Sequence, residues 1–180
     1  MACHNLLLSA MILATCAAAQ AQAPAYGLGT TASAAQIQAW DITISDEGKG
    51  LPAGSGTADE GAKIYAQKCA ACHGQNASGG QAPALWDNKE SPATSGHPHH
   101  YFPTEVPFAP VLYDYIHRAM PMLTGPGTLK PDEVYSLTAF LLYKNDVIKE
   151  NAVLDAQTLP KVKIPTSDAF VPPVIKPWKP

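Results

Sequence analysis

Cys69-Ala-Ala-Cys72-His73 decides the reading of this 180-residue chain. The pattern C-x-x-C-H is the attachment motif for c-type haem. Two thiols three positions apart reach the two vinyl groups of one porphyrin and form thioethers. The histidine that follows lies under the iron and offers an imidazole nitrogen. Two plainer readings compete, a redox dithiol and half of a zinc site. A dithiol belongs in a βαβ context, and a zinc site needs two further ligands. The other two cysteines, Cys3 and Cys16, lie within the first sixteen residues. The motif occurs once, so one covalent haem c is expected.

The N-terminus indicates where attachment takes place. Residues 5–19 are a short apolar run with small residues at its end, followed by Gln20 and Ala21. This pattern reads as a secretory signal peptide, residues 1–21, cleaved after Ala21. The run is too short for a membrane span. Its start lacks Lys and Arg, which is atypical. Cys16 as a lipid attachment point is the weaker reading, because Thr15 precedes it where a smaller residue is usual. Cleavage removes Cys3 and Cys16, and haem consumes Cys69 and Cys72, so no disulfide is expected. The expected location is the periplasm, with no membrane span.

Charge is low, net −3, and unevenly placed. Residues 22–150 carry eight basic and thirteen acidic side chains, whereas residues 151–180 carry four Lys and two Asp. No basic face for nucleic acid is implied. Six of the seventeen prolines lie between Pro160 and Pro180, which excludes a long helix or a central strand there. Phe170, Val171, Val174, Ile175 and Trp178 make this tail more apolar than a linker requires. It reads as an extended arm packed on its own body or on a partner.

The middle of the chain reads as helices around the haem. Thr57-Ala-Asp-Glu60 is a capping box, and the helix it starts runs from about Ala58 into the motif. Gly61 and Tyr65 share one face of it. A second helix begins near Pro110, carries Val111, Leu112, Tyr115, Ile116 and Ala119, and ends at Met120-Pro121. A third starts at Pro131, with Asp132 and Glu133 at the positive end of its dipole and Lys130 as a poor cap. Its apolar positions Val134, Leu137, Thr138, Leu141 and Leu142 repeat at helical spacing up to about Asn145. Residues 74–107 read as a long loop rich in Gly, Pro and Ser, plausible where a haem fills the space.

The order of capping box, Gly61-x-x-x-Tyr65, C-x-x-C-H, Pro-bearing loop, ligand Met and Leu137-Thr-Ala-Phe140-Leu resembles class I cytochrome c. The resemblance implies an all-α fold, three main helices around one haem. The first and last helices then cross where Gly61 and Tyr65 meet Leu137 and Phe140. Residues 39–56, Tyr115-Ile-His-Arg-Ala-Met-Pro121 and Pro131-Asp-Glu-Val-Tyr-Ser-Leu-Thr-Ala-Phe140 resemble a narrower group. These are the cytochrome subunits of bacterial periplasmic sulfite dehydrogenase and sulfane dehydrogenase. The resemblance covers about residues 26–148. It implies a molybdenum-containing catalytic subunit as electron donor and another cytochrome or oxidase as acceptor. His117, where the group usually has Arg, and His97-Pro-His-His100 depart from the pattern.

Met120 and Met122 are the late methionines. In the group resembled, the Met of Arg-Ala-Met-Pro ligates iron, which maps to Met120; a thioether raises the potential relative to two imidazoles. Met122 then reads as a rim residue. His117, three residues before Met120, is the rival ligand. His97, His99 and His100 read as a polar loop. Class I cytochromes fix the proximal imidazole through a loop proline carbonyl, which maps to Pro83. Arg118 is the expected propionate partner, with Trp86 and Tyr101 as weaker candidates.

The expected organisation is a signal peptide at 1–21, an N-terminal arm at 22–56, a cytochrome domain at 57–148 and a Pro-rich arm at 149–180. The arms are expected to serve docking and not the haem fold. The reading is an electron-transfer subunit of a sulfur-oxidising complex, without turnover of its own. A freely diffusing carrier, and a haem enzyme or gas binder with an open distal position, are the alternatives.

Overall fold

A computed structural model describes residues 28–86 and 106–169. The chain forms two units, one ending at Asp41 and the other beginning at Ile42. The first holds a two-turn helix, α1 (Ala34–Trp40). Ser33 caps it: the Gln36 amide donates to Ser33 Oγ, and the Ser33 amide donates to Gln36 Oε1. None of its residues is buried.

The second unit contains, in order, β1 (Ser55–Thr57), α2 (Ala58–Lys68), the single turn α3 (Ala70–His73), α4 (Ala109–Ala119), α5 (Pro131–Lys144) and β2 (Val153–Asp155). Two short 3-10 turns follow, Leu159–Lys161 and Pro165–Ala169. The fold is mostly helical. The all-α expectation lacks the small antiparallel sheet, in which Ser55 pairs with Asp155 and Thr57 with Val153.

Local chemistry sets the helix ends. The capping box of α2 forms as its sequence dictates: Thr57 Oγ1 accepts from the Glu60 amide, and Glu60 Oε2 accepts from the Thr57 amide at 3.1 Å. Such a cap contributes about 1 kcal/mol. Helix α4 has Pro110 in its first turn and stops at Met120, whose amide donates to Ile116 O. Helix α5 starts at Pro131. Lys130 caps it through its backbone: its amide donates to Glu133 Oε2 at 2.9 Å, and its carbonyl accepts from Val134 N.

α5 is the axis of the core. Val134, Tyr135, Ser136, Leu137, Thr138, Ala139, Leu141 and Leu142 are all buried along it. Burial on every side leaves its two short hydroxyl side chains to find partners within the helix. Ser136 and Thr138 each donate to the carbonyl four residues back, both at 2.7 Å. Helix α2 lies against α5 at its smallest residue. A Cβ on Gly61 would stand 1.9 Å from Ser136 O and 2.7 Å from Phe140 Cβ. One turn on, the Tyr65 and Phe140 rings meet at 5.1 Å, tilted by 41°. The meeting of Gly61 and Tyr65 with α5 thus runs through Ser136 and Phe140, with Leu137 buried in the same helix. Lys68, at the end of α2, pairs with Glu133 in the first turn of α5 at 2.6 Å.

The segment expected to be a docking arm belongs in part to this core. Leu154, Leu159 and Ile164 are fully buried. Lys163 forms a bridge with Phe108, just ahead of α4. On the N-terminal side Ile44 is buried, Ser55 N donates to Asp132 Oδ1, and Tyr135 Oη donates to Pro52 O. Both flanks therefore close over α5. Apolar side chains such as Leu159 leave water only by packing on a surface the helices provide.

Candidate haem site

The end of α2 and the turn α3 build the motif's geometry. Cys69 caps α2 by donating its amide to Tyr65 O, and the amides of Cys72 and His73 both return to Cys69 O. This turn holds the two thiols and the imidazole in one short arc. Both cysteines are half-buried and unbridged. Burial pushes the Cys69 thiol up to about 11. A redox dithiol attacks as a thiolate, the form that burial disfavours at Cys69. Among the described residues no three His, Cys, Asp or Glu side chains group as a metal cage.

After the motif the chain turns back on itself through Gly74, at φ 79° with Gly79 O 2.4 Å from where a Cβ would stand. Only glycine fits both demands. The turn is tied by Gly79 N to His73 O and by Ala82 N to Cys72 O. Tyr65 Oη donates to Gly74 O at 2.8 Å. Burial raises the Tyr65 phenol's pKa, so it stays a donor. The loop is then carried on by Leu85 N and Trp86 N, both donating to the carbonyl of buried Ala77. Asn145, at the end of α5, clasps Leu85 O from the far side at 2.9 Å.

This scaffold sets one hydrogen bond above all: His73 Nδ1 to Pro83 O, 2.7 Å. A carbonyl can only accept, so Nδ1 carries the proton. The lone pair then resides on Nε2, the nitrogen left to bind a metal.

The distal candidates separate by exposure. Met120 caps α4 and packs against the core, half-buried, whereas Met122 is 62% exposed. His117 turns Nδ1 into the protein, where it is enclosed without a partner and the ring lies 6.0 Å from that of Tyr113. Arg118 does not stand alone. Its Nη2 donates to Asp114 Oδ2, one turn back on α4. Trp86 is half-buried beneath Lys144, whose Nζ sits 4.0 Å from the ring centroid. Residues 1–21, His97, His99, His100 and Tyr101 lie outside the described residues.

Sequence reasoning passed over Asp114, Tyr113, Tyr135 and Asn145. Asp114 precedes Arg118 by four, a helical pairing distance that could have marked it. The other three act through burial and long-range bonds, which carry no local signal.

The residues present fit a covalently held haem. Two unbridged thiols stand three apart, an imidazole is fixed in the metal-binding tautomer, and a half-buried thioether ends the next helix. Comparison with known proteins agrees. Residues 56–141 match the family described as cytochrome c oxidase, cbb3-type, subunit III. A chain in the crystal structure of the sulfane dehydrogenase SoxCD from Paracoccus pantotrophus is 35% identical, with a TM-score of 0.70. The match covers 83% of this chain and 73% of that one. A search of curated proteins returns no match. The chain belongs to the c-type cytochromes, a family whose members carry haem c, and it resembles a chain of that dehydrogenase. Among the described residues no helix is long and apolar enough to cross a membrane.

Proposed function

We propose that this chain is a periplasmic monohaem cytochrome of class I type. It would serve as the electron-transfer subunit of a molybdenum-containing sulfite or sulfane dehydrogenase and pass electrons on to another cytochrome or oxidase. The observation that carries the haem reading is the 2.7 Å contact from His73 Nδ1 to Pro83 O. A metal-binding imidazole needs its second nitrogen fixed, and here a loop held by its own backbone hydrogen bonds, Tyr65 and Asn145 does so.

Each residue has a role in this reading. Cys69 and Cys72 hold the porphyrin as thioethers. His73 and Met120 would ligate the iron, and Arg118 would pair with a propionate. Bound haem supplies a one-electron Fe(III)/Fe(II) couple. Two protein ligands on the iron would leave no place for substrate there, which is the chemistry of electron transfer and not of catalysis or gas binding. The likeness to a chain of SoxCD supports a dehydrogenase as donor.

Two measurements test the proposal. Mass spectrometry of the exported protein is expected to show one added haem and loss of residues 1–21. Purification from the native host, followed by metal analysis, is expected to find molybdenum together with iron. Bare polypeptide would overturn the haem assignment, and iron without molybdenum in every copurifying fraction would overturn the partner.

A further inference from the structure

Asp114 is a costly place for a carboxylate. It sits in the middle of α4, its side chain only 9% exposed, and its Oδ1 is enclosed without a hydrogen-bond partner. Its Oδ2 accepts from Arg118, whose own side chain is 50% exposed. An ordinary i,i+4 pair on a helix surface leaves both groups in water and contributes little. A pair with the acid buried differs in kind. Asp114 is packed and cannot follow the arginine, so the arginine must come to it. A guanidinium has five N–H donors, and among the described residues one is engaged here. Arg118 lies in the last turn of α4, and the half-buried Met120 caps that helix.

We infer that Asp114 is a positioning residue. It clamps the Arg118 guanidinium at the rim of the haem site, so that the free donors meet a haem propionate. Without the clamp a half-exposed arginine swings into solvent, where water and salt screen its charge. This inference rests on the haem reading above and on Arg118 facing a propionate.

The midpoint potential of the haem-loaded, full-length protein tests it, with the visible spectrum as the check on haem uptake. A cation near the haem favours the reduced state, so Arg118→Gln is expected to lower the potential. If Asp114 acts through Arg118, Asp114→Asn also lowers it, although a negative charge has been removed. On the Arg118→Gln background Asp114→Asn no longer lowers it. If Asp114 acts only by its own charge, Asp114→Asn raises the potential on both backgrounds, and the inference is overturned. An unchanged potential in Arg118→Gln would instead overturn the propionate assignment. Should Asp114→Asn fail to take up haem, Asp114→Glu carries the test. Its longer acid keeps the charge but displaces the guanidinium, so clamping predicts a lowered potential and a pure charge effect predicts the wild-type value.

Discussion

Gly61 of α2 rests directly on the backbone of Ser136 in α5, so closely that a Cβ would stand 1.9 Å from the Ser136 carbonyl oxygen. The obstacle is main chain within a helix buried on all sides, so it cannot move aside as a side-chain tip would. The two helices must separate to admit a methyl group, and the Tyr65–Phe140 ring contact one turn away separates with them. Gly61→Ala is therefore expected to destabilise the fold by about 1–3 kcal/mol or more, despite the better helix propensity of alanine. Denaturant unfolding of the haem-loaded protein, compared with an exposed control such as Ala66→Gly, measures it.

The C-terminal flank makes a second prediction. Leu154, Leu159 and Ile164 are fully buried, and β2 supplies one of the two strands of the sheet. Leu159→Ala is expected to cost about 2–5 kcal/mol. Truncation after Glu150 removes all three side chains and is expected to lower the thermal midpoint sharply and reduce haem yield. Truncation after Ala169 keeps them. It is expected to leave the visible spectrum intact while weakening association with the partner dehydrogenase. Unaltered stability after the longer truncation would mean that these side chains do not hold the core.

Much of this arrangement was legible in the sequence, and the reason is local chemistry. The starts of α2 and α5 were marked by Thr57, Glu60 and Pro131, and the ends of α4 and α5 by Met120-Pro121 and Asn145. The His73–Pro83 bond followed from family resemblance, not from any spacing. The sheet was not legible. Its strands are three residues long, one holds Gly56, and their pairing joins residues about a hundred positions apart. The burial of Leu159 and Ile164 was hidden by the prolines around them, which exclude regular structure but not a core position. The clamp on Arg118 depends on how deeply Asp114 is buried, which the packing of α4 decides.

Met120 and Met122 differ in surroundings, and spectroscopy can exploit the difference. Met120 packs against the core at the end of α4, and Met122 is largely exposed. The oxidised protein is expected to show the weak near-infrared band of sulfur-to-iron charge transfer. Met120→Ala is expected to abolish the band and lower the potential, because an oxygen or nitrogen ligand then replaces a thioether. Met122→Ala is expected to leave both unchanged. The reverse pattern would move the ligand to Met122, and absence of the band in the wild type would point to His117 or to an open site.

The proposed role predicts that the isolated chain does not react with sulfur substrates. Each oxygen transfer to sulfite or to a sulfane sulfur is a two-electron change, whereas one haem holds one electron. In that role His73 and Met120 would both ligate the iron, leaving no coordination site there for substrate. Electrons must then arrive one at a time from a second protein docked within contact range of the haem. Sulfite added to the purified, oxidised cytochrome is expected to leave its visible spectrum oxidised over minutes. Adding the copurifying molybdenum subunit in catalytic amount is expected to reduce the haem fully. Two cytochromes should be reduced for each sulfite consumed, since each accepts a single electron. Rapid reduction by sulfite with no second protein present would show that the chain oxidises substrate itself, and the electron-outlet reading would be abandoned.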